Sequence, residues 1–447
     1  MFRKKELDHQ SSLWTVSSEI VSGPGSAYYE QLDYALRSAD FDKTIRDLCI
    51  PYYEEDESKG GRKGIDPYVY FKMLMVGFFE NIGSERGIAS RCADSISIRG
   101  FLKYELTEHT PDHSSLSRIR NRLKTEVYDK AFEIILGVLS KNKLLKGKQV
   151  GIDTSIIEAN ASMRTLVNNH TGETYDAYVK RLAEAEGVDS EDKQAVRTFD
   201  RKREDKKMSN DEWHSPNDPE AKIGPTKQGK IKMVHKTEHV VDMETGAILQ
   251  VTTLPGHQPD DHGMSDHIED VQIQINTVLE NEAQEQTIEK VTGDRGYFNI
   301  DELGKLQEKG IRTVIDDKTI NRNLDKLSKT QQKTVKNAHK SVRTKYGKSI
   351  KKRRGELLER SFTHLLDNGD LRKTTLSGTE NIQKRNLIAG MCCNISLYMR
   401  KMVGIGTPKQ AIAAFSLLNA ALLRLIERLI FTLTNTLRKD VRIYNVA

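Results

Sequence analysis

Gln149-Val150-Gly151-Ile152-Asp153-Thr154-Ser155 is a short apolar run that closes on a carboxylate, and it predicts a strand with an acid at its end. Downstream, the stretch 231–241 has strand character, 242–246 reads as a hairpin turn, and 247–254 is its partner strand. After Pro255, residues 265–282 carry Ile268, Val271, Ile275 and Leu279 on one helical face. Ile288 to Thr292 predicts another strand, broken by Gly293-Asp294-Arg295-Gly296; a helix over 300–309 and a strand over 313–315 follow. A helix is expected over 356–366, and two long ones over 379–400 and 408–438, the last opened by Thr407-Pro408. The resulting order is one mixed α/β sheet with helices on its faces. It is interrupted by a polar insertion at about 163–229, helical near 173–186 and 191–207, and by a basic one at about 318–355.

Upstream, residues 66–145 read as helical. Asp66-Pro67 predicts an N-cap and first turn, with Tyr70, Leu74 and Phe78 at helical spacing. Gly83-Ser84 opens a second helix. Pro111-Asp112-His113-Ser114-Ser115 caps a third, in which Leu116, Ile119 and Leu123 make the apolar stripe and Arg118, Arg120, Arg122 and Lys124 the other face. Short helices joined by tight turns fit either a helix-turn-helix module on DNA or a small bundle with solvated arginines. The expected division is a 1–60 segment, a 61–145 helical domain, a 146–400 sheet domain with its insertions, and a 401–447 helix for packing or dimerisation.

At 447 residues the chain exceeds one compact core, and its net charge of +6 is mild, so the placement of charge matters more than its sum. Cys49, Cys92, Cys392 and Cys393 form neither a disulfide framework nor a CxxC zinc pair. No signal-like apolar core follows Met1-Phe2-Arg3-Lys4-Lys5-Glu6. The most apolar stretch, 411–423, contains Ser416 and Asn419 and falls short of the ~20 residues of a membrane span. These features predict a cytoplasmic protein without a membrane partner.

Asp153 and Asp294 each end a predicted strand, and such ends open into the crevice where α/β sheets place ligands. Glu359 lies on the helix after the last strand, with Glu356 nearly on the same face as a rival. Converging carboxylates repel one another and resist ionisation until a hard divalent cation neutralises them. Two such ions ~4 Å apart serve in-line phosphoryl displacement.

The local blocks carry a resemblance. Gly151-Ile152-Asp153-Thr154-Ser155 with Glu158-Ala159-Asn160-Ala161, then Thr292-Gly293-Asp294-Arg295-Gly296-Tyr297, then Glu359-Arg360-Ser361-Phe362-Thr363-His364 resemble the three catalytic blocks of bacterial insertion-sequence DDE transposases. Asp218-Pro219-Glu220-Ala221, Pro255-Gly256-His257 and the InsH-type N-terminal signature at 111–120 resemble further blocks, in the family's order. A departure is Gly355, which stands where that family has an arginine four residues before the glutamate; Arg353 and Arg354 lie just upstream.

The resemblance implies an RNase H-like mixed five-stranded sheet behind an all-helical DNA-binding domain. It implies catalysis by Asp153, Asp294 and Glu359 on two Mg²⁺ ions, replaceable by Mn²⁺. The expected partner is double-stranded DNA, both the terminal inverted repeats and the target, bound by a homodimer in the bacterial nucleoid. A silent DNA-binding descendant and a nuclease without strand transfer are the alternatives.

Phosphate neutralisation then points to Arg118, Arg120, Arg122, Lys124, Lys230, Lys232, Arg295, Lys351, Lys352, Arg353, Arg354, Arg360, Arg372 and Lys373 as DNA contacts. Fourteen Lys or Arg and one acid, Asp325, lie between Lys318 and Arg354. Trp213, alone in the polar insertion, is a candidate to stack on an unpaired base, or else an anchor for its own subdomain.

Overall fold

Two helices precede the first predicted one: α1 (Gly25–Ser38) and α2 (Phe41–Glu54). Arg46 on α2 holds Asp66 by a two-pronged contact (Nε and Nη2 at 3.0 and 2.9 Å from Oδ2), and Asp66 in turn accepts from the Tyr68 amide at 2.9 Å. That N-cap, with Pro67 behind it, starts α3 (Pro67–Phe79). The sequence assigns α3 one apolar face, yet it is buried on nearly every side, as a helix apolar all round should be. α4 (Glu85–Asp94), α5 (Ile96–Leu102), α6 (His113–Arg122) and α7 (Thr125–Lys141) follow, and α4 and α6 are capped by Ser84 and Asp112 as expected. The structure is a computed structural model describing residues 25–54, 64–204, 208–226, 228–280, 287–319, 322–367, 369–418 and 420–426.

β1 (Gln149–Glu158) is the centre of the sheet. The polar insertion folds as β2 (Val167–Asn168), α8 (Tyr175–Ala185), α9 (Lys193–Lys202), β3 (Trp213–His214) and β4 (Lys222–Pro225). β5 (Ile231–Asp242) and β6 (Ile248–Pro255) form the predicted hairpin, with Gly246 at φ +81° closing a turn that few other residues would accept. Then come α10 (Met264–Glu280), β7 (Lys290–Thr292), α11 (Ile300–Glu308), β8 (Arg312–Val314), α12 (Lys329–Arg343), α13 (Lys345–Phe362) and α14 (Thr379–Val403). Residues 408–418 and 420–426 are helical again; the expected remainder of that helix, to 438, lies outside the described residues.

The sheet is mixed. β1 runs antiparallel to β5 and parallel to β7, β7 runs parallel to β8, and β6 pairs antiparallel with β5. β4 joins the start of β5, giving six strands where five were expected. The basic stretch also differs from its expected form as an insertion. It is built into α12 and α13, and the helix expected from 356 begins at Lys345, where the Thr344 hydroxyl accepts the Gly347 amide at 2.9 Å.

One apolar core runs from Tyr28 to Ala411, joining the helical region to the sheet. α14 is its spine, packed on α3, α7 and β6. Its amide side chains satisfy the open edge of β6: Asn394 accepts from the Ile248 N–H (2.9 Å) and donates to the Ile248 carbonyl (2.8 Å). Gln383 repeats this with the Thr253 N–H (2.7 Å) and the Val251 carbonyl (2.8 Å). Gly390 permits the approach, since a Cβ there would lie 2.8 Å from Val251 Cγ2. A free strand edge invites pairing with other chains, and α14 closes this one.

Candidate active site

β1 and β7 pair in parallel with Gly151 opposite Thr292, so Asp153 and Asp294, two residues beyond, emerge at the same end of neighbouring strands. Asp153 is mostly enclosed, and burial, above all, pushes its carboxyl up to about 6. Arg354, 3.2 Å away on α13, opposes that rise, while the acids Asp294 and Asp260 add to it. The Thr154 amide donates to Asp153 Oδ1 at 2.9 Å. Asp294 caps a single turn, 295–297, accepting the Gly296 amide at 2.7 Å.

Asp260, which sequence reasoning did not count as a site residue, belongs to the same cluster. A Cβ at Gly296 would lie 2.9 Å from Asp294 Oδ1 and 3.2 Å from Asp260 Oδ2, so the two carboxylates flank one point. Lys236 of β5 holds Asp260 at 2.6 Å. The signal was faint: an acid after Pro255-Gly256-His257, with no hint of the lysine across the hairpin.

α13 crosses this end of the sheet. It comes close because Gly151 has no side chain; a Cβ there would meet Met243 Sδ at 2.6 Å and Leu358 Cδ1 at 3.3 Å. His239, the cross-strand partner of Asp153, is fully buried, and that burial lowers its imidazole to about 3. It bonds Ser361 at 2.9 Å and stacks on Phe362 at 4.3 Å. The helix face so docked carries Arg354, Leu358 and Ser361. Glu359 is five residues on from Arg354, ~140° around the helix at 3.6 residues per turn, and it is exposed. Glu356 is exposed as well. Among the described residues no three His, Cys, Asp or Glu side chains are grouped to hold a metal ion. The structure thus sets Asp153 and Asp294 at neighbouring strand ends, places Asp260 beside Asp294, and leaves Glu359 and Glu356 outside.

The expected DNA contacts divide. Arg118, Arg122 and Lys124 are exposed at α6, with the Arg122 guanidinium over the Tyr53 ring at 5.0 Å. Arg120 turns inward instead, paired with Glu85 and 3.3 Å from Asn381 Oδ1, and ties α6 to α4 and α14. Lys232 is engaged by Glu158 (2.6 Å), Lys351 by Asp316, and Arg372 by Asp367 (2.6 Å). Arg353 is exposed and donates to the Glu244 carbonyl at 3.0 Å. Lys230, Arg295, Lys352, Arg360 and Lys373 are exposed. Trp213 is 5% exposed and packs edge-on against Tyr175 and Tyr178 in the small core of the polar insertion. Its ring is occupied there, which corrects the base-stacking expectation in favour of the anchor.

Residues 28–122 match the family model described as Transposase domain (DUF772). The match supports a transposase family. It begins at α1, so the family's domain takes in the two helices ahead of the predicted ones. Such a family implies DNA as partner. No curated protein and no solved structure matches the chain. By length and composition one helical run, Thr379–Ile426, suffices to cross a membrane, although Gly404 at φ +77° interrupts it.

Proposed function

We propose that this chain is a DNA transposase whose phosphoryl-transfer site lies at the Asp153/Asp294 end of the sheet. The observation that carries the reading is the parallel β1–β7 pairing, which sets two acids side by side in a chain with a transposase domain. The order β6-β5-β1-β7-β8, antiparallel on one side of β1 and parallel on the other, supports an RNase H-like core.

The donors suit a hard cation. Mg²⁺ commonly takes one or two carboxylates and completes its shell with water and phosphate oxygens, so Asp153 and Asp294 suffice to seat one ion. When bound, such a cation activates the attacking hydroxyl and stabilises the leaving oxygen. The remaining work falls to this chain's own residues. Arg354 neutralises Asp153 in the metal-free protein and is placed to turn to a DNA phosphate once that acid is engaged. Arg295, exposed beside Asp294, offers a second phosphate contact. Glu359 is the proposed third acid, and in this structure it faces outward on the exposed side of α13.

The outward Glu359 favours one rival, a DNA-binding protein without catalysis. Mg²⁺-dependent cleavage and joining of DNA carrying the element's own ends separates the two. Asp153→Asn and Asp294→Asn should each lose roughly 10³-fold or more in rate while still binding those ends. Full cleavage by either variant sinks the phosphoryl-transfer reading. End binding with no cleavage by the wild-type chain supports the rival, and hydrolysis without strand transfer of a pre-cut end marks a plain nuclease.

A further inference from the structure

Glu238 is a buried carboxylate that the proposed chemistry leaves unused. It lies on β5 directly opposite Thr154, the neighbour of Asp153, and is 2% exposed. A glutamate is almost never buried so completely unless paired, and both of its oxygens are engaged. Oε2 accepts the Tyr297 hydroxyl at 2.9 Å, and Oε1 meets His267 Nδ1 at 2.5 Å.

Tyr297 ends the single turn that Asp294 caps. Its ring is fully buried and packs close to Gly293, where a Cβ would lie 3.2 Å from Tyr297 Cβ. Side chains alternate along a strand, so Glu238 and Thr154 share the face opposite to Asp153 and His239. Glu238 therefore stands behind the sheet from Asp153, yet joins the backbones that carry Asp153 and Asp294. Strand register ties it to β1, Tyr297 ties it to the Asp294 turn, and His267 ties it to the first turn of α10.

We propose that Glu238 is a positioning residue: through Tyr297 it fixes the turn that carries Asp294, and so sets the separation of Asp294 from Asp153. This rests on the phosphoryl-transfer reading above. A purely structural contact at this place would contribute to folding without touching cation affinity. Removing a hydrogen bond that orients a metal ligand typically weakens the metal ~10–100-fold.

The test is Mn²⁺ binding to the full chain without DNA, followed by calorimetry and by the loss of the free-ion paramagnetic signal. The chains compared are wild type, Tyr297→Phe, Glu238→Gln and Asp294→Asn, with Leu306→Ala as a core-destabilised control. Tyr297→Phe should bind Mn²⁺ roughly tenfold or more weakly and exchange the amides of residues 293–297 faster in metal-free protein. Leu306→Ala should lower the melting temperature and keep wild-type affinity. Wild-type Mn²⁺ affinity in Tyr297→Phe overturns the inference whatever its melting temperature, and that variant decides alone if Glu238→Gln does not fold. Wild-type affinity in Asp294→Asn overturns the reading beneath it, an outcome distinct from the first.

Discussion

Asp153 sits between opposing influences: burial and two neighbouring acids favour its neutral form, and Arg354 favours the charged one. Burial prevails, and the carboxyl titrates near 6 in place of its usual 3.8. The folded chain then holds a proton that the unfolded chain releases between those values, so stability falls as pH rises through the window and the full cost is present above it. Two units correspond to on the order of 2–3 kcal/mol. Asp153→Asn should therefore raise the melting temperature by a few degrees at pH 7.5, and by about half as much at pH 5, which lies inside the window. Arg354, at 20% exposure, loses its partner but can turn to water. Equal gains at the two pH values would contradict the burial argument. The same titration predicts that divalent-cation affinity weakens as pH drops below about 6, because the ligand must be deprotonated.

Among the elements, the strands that end in Asp153 and Asp294 were legible, since a short apolar run closing on an acid and a Gly-Asp-Arg-Gly break are local signals. α13 was not. Its start at Lys345 hides in a run of lysines and arginines whose long stems cover apolar surface, and without the start the helix phase at Glu359 is undetermined. Asp260 and Glu238 were invisible for another reason. Lys236, Tyr297 and His267 reach them only across the folded sheet. Trp213 shows the converse: the aromatic was obvious in the sequence, but the Tyr175 and Tyr178 that bury it lie in a helix far upstream. α14 offers a sharp test of element docking. Asn394→Ala leaves the Ile248 N–H and carbonyl buried without a partner, each costing about 1–3 kcal/mol. Chemical denaturation should show a loss of about 2–6 kcal/mol, and Asn394→Asp should lose at least as much, because it buries a carboxylate against the Ile248 carbonyl. A loss below ~0.5 kcal/mol, within the range of ordinary surface changes, would mean that α14 does not close the β6 edge.

For the whole molecule the unbalanced feature is the pair of helical stretches at 408–418 and 420–426. Leu417, Leu418 and Leu423 are 72%, 65% and 60% exposed, and Ile412, Phe415, Leu422, Leu425 and Ile426 are exposed as well. Contiguous apolar surface of this kind on a monomer marks an interaction site. A second copy of the same helix is the occupant that adds no new component, and two-fold pairing is the commonest form of self-association. Leu418, Leu422 and Leu425 follow one another at spacings of four and three, which places them on one side of the helix as a seam for such a pair. The full chain should therefore sediment as a dimer without DNA. Replacing Leu418, Leu422 and Leu425 together by serine should return it to the 50.8 kDa monomer while leaving the melting transition of the core in place. A monomeric wild-type chain would refute the pairing. Flotation of the wild type with phospholipid vesicles, abolished by the same three substitutions, would assign the face to a membrane instead.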